Sequence, residues 1–65
     1  MYKMNELEKV NFLIEFFNGY TKNNDDAIGC AFFHAEEMRV AFMEARCWEE
    51  ENYWHNVILE IKKRI

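Results

Sequence analysis

The chain has 65 residues, with twelve acidic against eight basic side chains and a formal charge of −4. A net negative chain argues against a phosphate backbone as a direct partner, and no apolar run approaches the ~20 residues that a membrane helix needs. At this length there is room for one domain, residues 1–65, near the size at which a single core barely outweighs chain entropy and helpers such as self-association become common.

The opening stretch, Met1 to Glu6, does not read as a signal peptide, because charges interrupt every apolar run early in the chain. Asn5 with Glu8 three residues on has the form of a capping box, and Glu6 and Glu8 suit the positive end of a helix dipole. Leu7, Val10, Ile14 and Phe17 then recur at steps of three and four, with Leu13 beside them, so a first helix is predicted over about 5–20. Phe12 and Phe16 fall on a flank away from that stripe, which leaves this short element apolar over more than half its circumference. Thr21 to Asp26 is the one polar, turn-rich run, and Asn23, Asn24 and Asp25 are each competent helix caps. The chain reverses in a turn at 21–25.

From Asp25 to the end there is no proline, and the only glycine is Gly29 in the first turn. The pattern therefore predicts one long helix over about 25–64, roughly 60 Å at 1.5 Å per residue. A bulky stripe runs Val40, Met43, Cys47, Trp54, Ile58, Ile61 and Ile65. A second, dominated by small side chains, runs Ala27, Ala31, Ala35, Met38, Phe42 and Ala45, where another helix can approach closely. A short first helix covers only half of such a partner. The expected architecture is thus all-α, an antiparallel helical hairpin with a short first and a long second helix, dimerising into a bundle through the bulky stripe. The alternative is a monomeric three-helix bundle with a break at 49–52, where Trp48-Glu49-Glu50-Glu51-Asn52 interrupts the apolar period.

Chemistry-bearing groups are sparse. There is no serine and one threonine, and no glycine-rich loop to cradle a phosphate. His34 with Glu37, Cys30 with His34, and Glu51 with His55 are helical pairs that put two donors on one face, but the order and number of ligands fall short of a helical metal site. Cys30 and Cys47 lie roughly 25 Å apart on a straight helix, too far to bridge, and read as small apolar residues in a reducing, cytoplasmic setting. No catalytic residue, metal or other cofactor is implied. The remaining constellation is Trp48, Tyr53 and Trp54 interleaved with Glu49, Glu50 and Glu51. Aromatics carry much of the binding energy at interfaces, and an acidic rim favours a basic partner. Equally, Trp54 fits the dimer stripe and a glutamate run fits a solvated face. Of the adjacent Phe32 and Phe33, one is expected to fill a core and the other to be an exposed anchor.

These observations imply a small acidic, non-enzymatic interaction module that partners itself and a larger protein with a basic surface, to which Glu36, Glu37, Glu44, Glu49, Glu50 and Glu51 would present carboxylates in the place of phosphates. Richness in Asn, Lys, Glu, Ile, Phe and Tyr is consistent with an AT-rich coding sequence, as in a low-GC bacterium, its phages or mobile elements, and the expected role is that of a phage- or mobile-element-encoded modulator or inhibitor of a host protein. A structural homo-oligomer whose aromatics serve only its own core is the competing class, and a helical metal-binding protein a minor one.

Overall fold

The computed structural model describes residues 3–65, so Met1 and Tyr2, where the stretch judged not to be a signal peptide begins, lie outside the described residues. Among the described residues there are three helices and no strand: α1, Glu6–Asn18; α2, Asn24–Glu44; and α3, Trp48–Lys62. Each start has a local cause. Asn5 Oδ1 accepts from the Glu8 amide at 2.8 Å while the Glu8 carboxylate accepts from the Asn5 amide at 3.1 Å, so the reciprocal capping box forms. At α2 the cap is Asn23, whose side chain accepts from the Asp26 amide at 2.8 Å, with Asp25 and Asp26 in the first turn.

The long second helix does not form, and the two-helix hairpin gives way to the three-helix alternative. The break lies at 45–47, just before the predicted 49–52. The Cys47 amide donates to Phe42 O at 2.9 Å and the Arg46 amide to Met43 O at 3.1 Å, the paired bonds of a Schellman cap. Arg46 sits at φ 59, the left-handed position that glycine usually fills. Cys47 then caps α3 by its backbone only, and Glu49, Glu50 and Glu51 occupy the first turn, where the dipole favours negative charge. The molecule measures 36 × 23 × 20 Å, which a 60 Å rod could not fit.

Cross-helix pairs give the topology. Met4 with Tyr53, Glu6 with Asn56 and Asn11 with Arg64 advance together, so α3 runs parallel to α1. Arg39 with Glu51 and Phe32 with Lys62 run in opposite order, so α3 is antiparallel to α2. Every helix packs on both others. Val10, Leu13 and Ile14 of α1, Ala27, Ile28, Ala31 and Ala35 of α2, and Trp54, Val57, Ile58 and Ile61 of α3 form the core. Ala27, Ala31 and Ala35 of the small-residue stripe are fully enclosed, as their small side chains predict for a close helix approach, whereas Met38 and Phe42 are partly buried and Ala45 is exposed at the corner. No polar or charged side chain is buried among the described residues, so apolar burial is the main favourable term.

Candidate protein-interaction surface

The fold separates the six residues expected to form a docking surface. Trp54 is 6% exposed and belongs to the core, its ring meeting His34 and Tyr53 edge-on with centroids 5.6 Å away in both cases. Tyr53 is half-buried, its hydroxyl donating to Met4 O at 2.6 Å and its ring lying 4.2 Å beneath the Lys3 ammonium. Glu50 and Glu51 bind the chain to itself, through Lys3 at 2.8 Å and Arg39 at 3.1 Å. Trp48, 60% exposed, and Glu49 remain outward at the α2–α3 corner.

The stripe assigned to a dimer divides in the same way. Trp54, Ile58 and Ile61 are enclosed by α1 and α2 of their own chain, because the corner at 45–47 folds α3 back where a second copy had been expected. The dimer inferred from an uncovered stripe is therefore not supported. Val40 and Met43 stay exposed on α2, Cys47 is at the corner, and Ile65 is exposed beyond α3.

What the fold leaves uncovered is a different surface. On α2 the core residues Ala27, Ala31 and Ala35 recur every four, and the opposite side carries Phe33, Glu36, Glu37, Val40, Met43 and Glu44. Phe33 is 66% exposed while its neighbour Phe32 packs against the core, so the adjacent pair divides as expected. Val40 and Met43 are exposed as well. Glu36, Glu37, Val40, Ala41 and Glu44 line a shallow recess along this row. The only basic residue of α2, Arg39, is turned to Glu51, so these carboxylates are not neutralised by their own helix.

A second aromatic row runs along α1 into the turn after it. Phe12, Phe16 and Tyr20 are exposed at four-residue steps, with ring centroids 6.3 Å and 5.3 Å apart along it. Where this row nears α2, an open groove of about 910 Å³ is lined by Phe17, Tyr20, Asp25, Gly29, Phe33 and Glu37, among others. Glu37 borders both the groove and the α2 recess, so the two surfaces are continuous. The sequence held a signal for the α1 row, the four-residue spacing of three aromatics away from the Val10–Ile14 stripe.

His34 does not gather ligands. Its ring sits between Phe17, 6.2 Å away, and Trp54, and no group of three or more His, Cys, Asp and Glu side chains among the described residues is placed to hold a metal ion. Cys30 and Cys47 are free thiols. None of the described helices is long and apolar enough to cross a membrane. The uncovered surfaces offer apolar contact edged by negative charge. Comparison with known proteins returned no match to any family model, curated protein or solved structure.

Proposed function

We propose that the chain is a small, non-enzymatic protein-interaction module of the cytoplasm that modulates a larger protein by docking the outer face of α2 onto a basic surface. One observation carries this reading. Phe33, Val40 and Met43 form an uncovered apolar row on the side of α2 opposite its buried alanines, flanked by Glu36, Glu37 and Glu44 with no compensating basic residue on that helix but the engaged Arg39. Buried aromatics within a complementary charged rim are the usual energetic centre of a protein interface, and like-signed glutamates steer and select a cationic partner. The corner residues Trp48 and Glu49 lie just past the C-terminal end of α2 and supply an edge to the contact.

The test is affinity capture from lysate, partner identification, and titration of the purified partner against the wild-type chain and a Val40→Lys, Glu44→Lys double variant. Both positions are exposed, so circular dichroism and melting temperature should hold while affinity falls at least tenfold, or about 1.4 kcal/mol. Undiminished capture by the double variant refutes the reading. Should cross-linking through α2 join only copies of this chain, the homo-oligomer reading replaces it.

A further inference from the structure

Gly29 is in the interior of α2, where glycine costs about 1 kcal/mol relative to alanine. The fold gives no reason for it. Gly29 has no positive φ, and a Cβ built on it would meet nothing within 4 Å. Gly29 lines the open groove formed by Phe17, the turn after α1 and the first half of α2, and the space over it is empty. Around that opening stand two largely exposed rings, Tyr20 and Phe33, with Phe17 behind them. Asp25, Asp26 and Glu37 add three carboxylates against one ammonium, Lys22. Asp25 and Gly29 also line a smaller recess with Arg64 and Ile65, and the Arg64 guanidinium donates to Asn11.

We infer that this groove is built to receive an arginine side chain from the docked partner. The inference rests on the docking reading above and gives it a chemical class. A guanidinium is flat, weakly hydrated and always charged, so it can stack on an aromatic face while its N–H groups reach carboxylates; an ammonium offers a point charge without the flat face. Both kinds of partner line the groove, the aromatic residues Tyr20 and Phe33 and the carboxylates of Asp25, Asp26 and Glu37. With no side chain at Gly29, the space over it is free for an aliphatic shaft. Because Glu37 also edges the recess beside Val40, an arginine here and apolar contacts on the α2 row belong to one continuous footprint.

The experiment is a titration of the full chain with n-propylguanidinium, with n-propylurea as a neutral analogue of the same shape, followed by amide chemical shifts at matched ionic strength. Saturable shifts at Tyr20, Gly29 and Phe33 are expected, with a dissociation constant on the order of millimolar for so small a probe. The urea should bind at least fivefold more weakly, and Glu37→Gln should weaken the guanidinium at least twofold. Gly29→Leu fills the groove in a helix that leucine favours, so it should abolish the shifts without lowering the melting temperature. Equal binding of the urea, no saturable shifts, or shifts that survive in Gly29→Leu overturn the inference.

With the purified partner, Gly29→Leu should cut affinity at least fivefold. Partner binding that is lost in the Val40→Lys, Glu44→Lys variant but unchanged in Gly29→Leu sinks the arginine groove and leaves the docking face standing. Groove-specific probe binding combined with undiminished capture by that double variant refutes the docking face and keeps the preference for a guanidinium.

Discussion

Replacing Arg46 with glycine separates the corner from the continuous helix by the sign of its effect. Arg46 holds φ 59, where an L-residue pays roughly 1–2 kcal/mol because its Cβ crowds the following carbonyl. Glycine removes that cost but adds about 0.5–1 kcal/mol of unfolded-chain freedom. The Arg46 side chain is exposed and makes no ion pair among the described residues, so little else is lost. The net expectation is a gain of about 0–1.5 kcal/mol, centred at about 0.75 kcal/mol, or a melting temperature raised by about 3–6 °C at the centre for a domain of this size. In a continuous helix the same glycine would cost about 1 kcal/mol and lower the melt by a similar interval. Arg46→Val, which forces a β-branched side chain into the left-handed region, should melt below wild type in the three-helix fold. Thermal melts followed at 222 nm, a standard helix wavelength, decide the matter together with urea titrations. A glycine variant that melts lower than wild type refutes the corner.

Two further substitutions probe the same architecture. Ile61 is fully buried, so Ile61→Ala should cost about 2–5 kcal/mol, against a total of about 3–5 kcal/mol for so small a core, and largely unfold the chain at 25 °C; a cooperative melt shifted by less than about 1 kcal/mol would contradict the packing. The Cys47 side chain accepts no bond from the first turn of α3, so Cys47→Asp should add an acceptor at a helix start and about 1 kcal/mol in urea titrations, whereas a loss would mean that α3 does not begin there.

Both ends of the α1–α2 hairpin were legible because their chemistry is local. Asn5 with Glu8 and the Asn23–Asp26 run announce helix starts by side-chain geometry that depends on a few neighbours, and the alanine period of α2 specifies a close approach whatever helix makes it. The corner was not legible for equally local reasons. Its left-handed residue is an arginine where glycine gives the usual signal, and its helix cap is a cysteine where serine, threonine, asparagine or aspartate would be expected. The seven-residue step from Cys47 to Trp54 passes over the corner without breaking the count of threes and fours. Three consecutive glutamates were the available signal. They read as a solvated face or a docking rim, but they occupy the first turn of α3, and two of them close on Lys3 and Arg39.

The candidate surface was harder to read because it depends on what the third helix leaves bare. Once α3 folds back, Trp54, Ile58 and Ile61 are spent on the core, and the apolar residues left outside include Phe33, Val40 and Met43 on α2 and Phe12 and Phe16 on α1, with Leu7, Trp48, Leu59 and Ile65 scattered elsewhere. Phe33 could be seen as one member of an adjacent pair that must divide, whereas the groove beside it required the placement of Tyr20 and Gly29 in three dimensions.

The arrangement of α2 bears on how such a molecule changes over generations. Its inner side is closed by methyl groups at Ala27, Ala31 and Ala35, which leave no slack for enlargement, while the outer residues touch little of the scaffold. Substitutions at the exposed positions 33, 40 and 44 are therefore expected to cost the fold little. On the docking reading proposed above, the choice of partner could be revised at those positions one residue at a time without rebuilding the scaffold.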